Sequence, residues 1–285
     1  MKHTLPLALV LLSGLHVSSV LAAEPDISAG TDNPAVHLQL IQRMQQQGAW
    51  FASLAHIDAL RQQHGDSPAL QLAQADALRQ TGQIDEAKKL YVQLLRGPHQ
   101  AAALNGLGLV EAQQGHLPQA IDKLRQASRL TPLNVGYLGD LGFALLLSGD
   151  HQAARLPLAQ AVELAPGDGR SVANAALWHL LAGNTAEAEA MFERARLPAA
   201  SRQQVHATAE RLRRQQSNAQ TQVAEVNATA SVRPDPSPTA AVPEQGRGRP
   251  AAAAPPSVES AQPFLPRAPM LEHFATTSPQ QGSQP

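Results

Sequence analysis

The chain has 285 residues, a formal net charge of −1, 3% aromatic residues and no cysteine. A net charge near zero argues against electrostatic capture of nucleic acid or of an anionic membrane surface. The lack of cysteine excludes disulfides, zinc–thiolate clusters, thiol nucleophiles and the acylated cysteine of a bacterial lipoprotein.

The N-terminus has the residue order of an export signal. Lys2 supplies a positive start, an apolar run extends over Leu5–Val20, and Ala22 begins a small-residue cleavage site. This order is typical of a cleaved signal peptide. We expect a signal peptide over residues 1–22, a linker over residues 23–33 and a periplasmic mature protein. An uncleaved anchor helix is the alternative, although the run is short for a span of about 20 apolar residues.

A pattern of small residues recurs about every 34 residues through the middle of the chain. It is led by glycines at intervals of 34, 33, 34 and 34, namely Gly48, Gly82, Gly115, Gly149 and Gly183. A period in this range is the signature of stacked helical repeats. We therefore expect residues 34–216 to form an all-α solenoid of about five helix-turn-helix units with a capping end helix.

The unit Ala101–Asn134 shows how each repeat divides into two helices. Gly115 marks the turn, because glycine enters the left-handed backbone region without strain. Pro118 lies near the start of the second helix, where its missing N–H is harmless. Gly108 and Ala120 are small, so we expect the two helices to approach each other closely there.

The two most regular units share a Leu-Gly pair, small and large packing positions and a closing proline. These residues are Leu107, Gly108, Ala120, Leu124, Ala127 and Pro132 in one unit, and Leu141, Gly142, Ala154, Leu158, Ala161 and Pro166 in the next. Units with this pattern resemble tetratricopeptide (TPR) repeats. The resemblance implies a right-handed all-α TPR superhelix and a non-catalytic interaction protein. The first unit, Pro34–Ser67, is degenerate, as a terminal repeat often is.

Two runs, Tyr137–Asp150 and Ser171–Asn184, carry a narrower resemblance. They are similar to the TadD proteins of the tight-adherence (Flp) pilus machinery, which often read NNLGxALLLAG and then ARxNLAxxLxxAG one repeat later. This resemblance implies an assembly adaptor whose partner is a secretin or another envelope protein. Many TadD proteins are lipoproteins, so the missing cysteine implies that this chain meets the outer membrane only indirectly. The alternative is a general periplasmic TPR scaffold for outer-membrane protein assembly or polysaccharide export.

In a TPR superhelix the first helix of each unit lines a concave groove, and the register identifies the groove residues. We predict that the groove is formed by Asn105, Leu109, Gly139, Asp140, Phe143, Leu146, Ala173, Asn174, Leu177 and Leu180. The helix Leu141–Leu147 is apolar on all sides, which is more than one packed face requires and favours an apolar trough for a partner. Ordinary packing between neighbouring helices is the alternative.

No catalytic chemistry is indicated by the sequence. The chain contains no HExxH, GxSxG or Walker A motif, and its histidines are scattered. A carboxylate clamp would need Lys, Arg and Asn together in the groove, whereas Asn105 stands alone. We therefore predict no catalytic, cofactor-binding or metal-binding residues, and no nucleic acid or small-molecule substrate.

The last region, residues 217–285, holds 12 of the 22 prolines and few large apolar residues. Such a segment cannot bury enough apolar surface to offset chain entropy, so we predict a disordered tail. One apolar island, Pro263–Phe274, interrupts it. Its candidate roles are a docking motif for a partner, a segment that folds back into the chain's own trough, and an inert terminus.

Overall fold

The structure, a computed structural model, describes residues 33–231. The predicted signal peptide, most of the linker and the tail beyond Ser231 lie outside this range. Within it the chain forms eleven α-helices and no strand. In chain order these are α1 (Pro34–Gln46), α2 (Trp50–His64), α3 (Pro68–Gln80), α4 (Ile84–Gln93), α5 (Gln100–Gln113), α6 (Leu117–Leu130), α7 (Val135–Leu147), α8 (His151–Leu164), α9 (Gly169–Leu181), α10 (Thr185–Arg194) and α11 (Ala199–Ser231).

The first ten helices form five pairs, α1–α2 to α9–α10, and the two helices of each pair pack against each other. Glycine makes the turn inside every pair, with φ between +75° and +86° at Gly48, Gly82, Gly115, Gly149 and Gly183. Other residues are strained in this left-handed region. The glycines that recur about every 34 residues therefore mark the turns between paired helices. The predicted all-α fold of about five helix-turn-helix repeats is confirmed.

Polar caps begin the first helix of four pairs. A side-chain oxygen accepts a hydrogen bond from a first-turn backbone N–H at Asn33, Ser67, Asn134 and Asp168. Such a cap stabilises a helix by about 1 kcal/mol relative to alanine. The remaining first helix, α5, starts after His99 without a side-chain cap.

Glycines also allow the paired helices to touch. A Cβ added at Gly108 would lie 2.6 Å from Leu124 Cγ, and one added at Gly142 would lie 2.3 Å from Leu158 Cδ2. Both separations are far shorter than a carbon–carbon contact of about 3.5–4.0 Å. The close approach expected at the Leu-Gly pairs is therefore confirmed, and it belongs to packing within a repeat.

Helix α7 lies at the centre of the stack. It packs against α5, α6, α8 and α9, and nine of its thirteen residues are buried. A helix covered on several sides needs apolar residues all round. The apolar character of Leu141–Leu147 is thus explained by burial within the chain, which corrects the argument that it exceeds the needs of packing.

Helix α11 closes the C-terminal end of the stack. It packs against α9, and its stripe Val205, Ala209 and Leu212 is buried. None of the described helices is both long and apolar enough to cross a membrane.

The end of α11 differs from the predicted boundary. The sequence placed the start of the tail after Gln216, but α11 continues to Ser231. No glycine or proline occurs between these positions, so nothing in the sequence terminates the helix before Pro234. Residues 217–222 of this extension are exposed.

Candidate binding groove

The first helices of successive repeats pack side by side, α3 on α5, α5 on α7 and α7 on α9. In a stack of helical repeats such a row of helices lines an extended concave surface. This row contains a cavity of about 70 Å³, which we call the groove cavity. The cavity is lined by Arg79, Leu109, Ala112, Gln113, Leu124, Asp140, Phe143, Ala144, Leu147 and Arg170.

The lining has an apolar part, which we call the floor, and a charged part formed by Arg79, Asp140 and Arg170. Leu109 is half-buried, whereas Phe143 is buried in the main hydrophobic core. Arg79, Asp140 and Arg170 come from α3, α7 and α9, so charged side chains of three first helices meet at the cavity. A cavity of this kind suits an apolar side chain flanked by polar groups.

A polar chain links three repeats beside the groove cavity. Asn105 Nδ2 donates a hydrogen bond of 2.9 Å to Asp140 Oδ2, and the guanidinium of Arg170 pairs with Asp140 Oδ1. The Asp140 side chain is only 3% exposed. A buried carboxylate needs such partners, because an unpaired charge in this environment is strongly unfavourable.

A second polar group lies on the N-terminal side of the cavity. Tyr91 donates a hydrogen bond of 2.6 Å from its hydroxyl to Asp76 Oδ1. Burial, followed by the charge of Asp76, raises the pKa of Tyr91 well above 10.0. Burial also raises the pKa of Tyr137, with smaller contributions from the charges of Asp76 and Asp140. Tyr137 therefore lies between the acidic groups of α3 and α7.

Two buried polar atoms near the cavity have no hydrogen-bond partner among the described residues. They are Asn105 Oδ1, an acceptor, and Arg170 Nε, a donor. Buried polar atoms are rarely left in this state in native proteins. The acceptor lies on α5 and the donor on α9, on either side of α7, and they match the backbone N–H and C=O of a bound polypeptide segment.

The structure brings together only some of the predicted groove residues. Leu109, Asp140 and Phe143 line the groove cavity. Asn105 bonds to Asp140, and Asn174 Nδ2 donates a bond of 3.4 Å to the backbone oxygen of Gly139. The remaining four belong to the hydrophobic core, namely Leu146, Ala173, Leu177 and Leu180.

Those four residues require a correction. The register correctly places them on first helices, but their side chains pack between α7, α9 and the surrounding helices instead of facing an open trough. Leu146 is completely buried. For these positions ordinary packing, the alternative weighed from the sequence, describes the structure, and the groove is narrower than predicted.

The predicted groove set leaves out two charged residues that line the cavity, Arg79 and Arg170. Arg170 is the second residue of its unit, a position that faces the groove in the TPR register. The register therefore predicts its place in the groove. Arg79 lies in the looser unit 68–100, where the register is less well defined. Metal binding has no support here, since the described residues contain no group of three or more His, Asp or Glu side chains that could hold an ion.

The fold and groove define a class of protein, a helical-repeat solenoid with a concave binding surface. Comparison with known families identifies the repeat, since residues 72–135 and 113–169 each match the tetratricopeptide repeat family. A TPR repeat-containing protein of Pseudomonas aeruginosa, PA4299, is 30% identical over 167 residues. That alignment covers 58% of this chain and 65% of the relative, slightly less than two thirds of its length.

One solved structure shows the same fold. A thermophilic TPR protein from Thermus thermophilus, TTC0263, superposes with a TM-score of 0.53 at 20% identity, covering 63% of this chain and 98% of that one. The MamA protein gives a TM-score of 0.42 at 17% identity, covering 59% and 96%. Residues 72–169 thus match the tetratricopeptide repeat family, and the described chain has the fold of such repeats. This fold is typically a non-catalytic scaffold that binds other proteins.

Proposed function

We propose that this chain is a non-catalytic adaptor in the assembly of a tight-adherence (Flp-type) pilus or secretion apparatus. It acts in the periplasm after export by its signal peptide and holds an envelope component, such as the secretin, in its concave groove. The observation that carries the binding role is the groove cavity, where an apolar floor is flanked by charged side chains and by the unpartnered atoms of Asn105 and Arg170.

Support for the pilus context comes from the sequence. The runs Tyr137–Asp150 and Ser171–Asn184, which resemble TadD, form parts of α7 and α9 and thus contribute directly to the groove. The same helices supply Asp140 and Arg170 to the polar chain. A TadD-like pattern concentrated on the groove-forming helices is consistent with selection for a shared partner.

The test compares two leucine-to-glutamate variants. Leu109→Glu puts a carboxylate into the groove cavity, whereas Leu156→Glu puts one on α8, where the leucine is already 65% exposed. Leu109 is itself half-buried at the surface, so circular dichroism and unfolding curves should first verify that both variants fold. The immobilised chain is then incubated with envelope extract, and the recovered secretin is quantified by mass spectrometry.

We expect the wild type and Leu156→Glu to recover the secretin and Leu109→Glu to lose it. A bound partner would remove the new carboxylate from water, and this desolvation is more unfavourable than the contacts in the cavity are favourable. Equal recovery by Leu109→Glu would reject the groove as the binding surface. Recovery of outer-membrane assembly or polysaccharide-export proteins instead would favour the general periplasmic scaffold. The gene neighbourhood is an independent check, since absence of pilus ATPase and secretin genes would contradict the pilus role.

A further inference from the structure

The groove cavity lies near the point where the chain leaves the solenoid. Gln216 on α11 reaches the turn between α7 and α8, where its Nε2 lies 3.0 Å from His151 Nε2. A Cβ on Gly149 in the same turn would lie 3.7 Å from that side chain. Leu147, two residues before Gly149, lines the cavity. The helix that leads to the tail therefore passes close to one end of the cavity.

Beyond Ser231 the sequence contains one segment able to fill an apolar cavity. The island Pro263–Phe274 carries Phe264, Leu265, Met270, Leu271 and Phe274, and the only other large apolar residues after Ser231 are valines at 232, 242 and 258. Proline-rich sequence flanks the island on its N-terminal side.

We propose that the island Pro263–Phe274 docks into the groove cavity of its own chain. One of its large apolar side chains would occupy the floor between Leu109 and Phe143. Asn105 Oδ1 and Arg170 Nε have no partner among the described residues. Asn105 Oδ1 would then accept a hydrogen bond from a backbone N–H of the island, and Arg170 Nε would donate one to a backbone oxygen of the island. This accounts for two buried polar atoms that the solenoid alone leaves unsatisfied.

Reach favours the tail over other occupants. Residues 232–262 join Ser231 to the island, and 31 residues at about 3.1 Å each in an extended proline-rich chain span roughly 95 Å. A thirteen-residue helix such as α7 is only about 20 Å long. A tethered segment that can reach its site meets it at an effective concentration on the order of millimolar.

The inference deepens the proposed function and rests on it in one respect, since both place a polypeptide in the same groove. Its consequence is that the tail competes with the envelope partner, so the groove is occupied until that partner displaces the island. The two ideas remain separable, because docking of the tail can be measured in purified protein without any partner.

The absence of native cysteine makes the measurement direct. Spin labels are attached to Gln113→Cys, an exposed position at the cavity, and to Ala268→Cys in the island, and their separation is measured by pulsed electron paramagnetic resonance in the full chain. The matched control pairs Ala268→Cys with Gln160→Cys, an exposed position on α8. We expect a narrow, short distance distribution for the first pair and a longer one for the control.

Adding Leu271→Asp should broaden the first distribution, and this variant leaves the solenoid itself unchanged. Equally broad distributions for both pairs, or no response to Leu271→Asp, would overturn the proposal. A short distance between singly labelled chains mixed together would also overturn it, because the occupant would then be a second copy.

Competition supplies a second readout. A synthetic peptide of residues 262–275 should bind the Leu271→Asp chain roughly tenfold more tightly than the wild type, since an occupied groove lowers the apparent affinity. Equal affinities would reject docking of the tail. Both ideas would be confirmed if Leu109→Glu loses the secretin and the spin labels in the wild-type solenoid are a short distance apart. Short distances without secretin recovery would reject only the proposed function.

Discussion

Gly142 marks the closest approach of α7 and α8, and Gly142→Ala should destabilise the solenoid. The new Cβ would lie 2.3 and 2.5 Å from Leu158 Cδ2 and Cγ, at least 1 Å less than a normal contact. Leu158 is buried, so a shift of its side chain would disturb packed neighbours. Overpacking costs about 1–3 kcal/mol, whereas replacing glycine by alanine within a helix contributes about 1 kcal/mol. We expect a net loss of up to about 2 kcal/mol.

Gly139→Ala on the same helix is the matched control. Its added Cβ would lie 3.6 Å from Asn174 Nδ2, an ordinary contact. The gain in helix propensity should therefore prevail, and this variant should be more stable than the wild type by roughly 0.5–1 kcal/mol. Opposite signs at two glycines three residues apart would separate steric contact from backbone entropy.

The assay is urea unfolding followed by far-ultraviolet circular dichroism, with tryptophan fluorescence as a second probe. Both probes are needed because repeat proteins can unfold in parts, and only coincident transitions with unchanged slope m give comparable free energies. In a Leu158→Ala background the obstacle is absent, so Gly142→Ala should become stabilising. If Gly142→Ala raises the stability of the wild type, the close-contact explanation of the Leu-Gly pair is wrong.

Two further predictions concern the polar groups of the groove. Asp140→Ala should cost roughly 2–3 kcal/mol because it leaves the partly buried charge of Arg170 without its partner. Adding Arg170→Leu should restore part of that loss, and additive losses in urea unfolding would contradict the pairing. Both tyrosines of the chain, Tyr91 and Tyr137, should resist ionisation near pH 10 while the protein is folded, as measured by tyrosinate absorbance. Because these pKa values are raised in the folded state, their contribution to stability is complete below pH 10 and decreases as the pH rises above it. Ionisation of both phenols near pH 10 without unfolding would refute their burial.

The architecture was readable from the sequence because the repeat depends on local rules. Gly115 must adopt positive φ, and Gly108 must accommodate Leu124, so the residue types at these positions are fixed by backbone conformation and close contact. The same requirements recur about every 34 residues, so a pattern that would be weak evidence in one unit becomes strong evidence when it repeats. The periodic pattern therefore predicted the helix pairs and their turns.

The groove was less predictable because exposure depends on neighbours in other repeats. Leu146 and Phe143 lie on the same helix with similar sequence surroundings, yet only Phe143 lines the cavity. Which of them faces the concave side depends on the rotation between successive repeats and on how α9 covers α7. Neither quantity is encoded in the TPR pattern. The pairing of Asp140 with Arg170, thirty residues apart, likewise required the assembled stack.

The polar chain gives the groove a role in stability as well as in recognition. Asn105, Asp140 and Arg170 belong to three successive first helices, and their contacts join repeats that otherwise meet mainly through apolar packing. In a repeat protein the interfaces between neighbouring units determine whether the stack unfolds as a whole. A segment that bonds to Asn105 and Arg170 would strengthen those interfaces, since any ligand that binds only the folded state stabilises it by RT ln(1 + [L]/Kd). Occupation of the groove and cohesion of the central repeats are therefore coupled through the same three side chains.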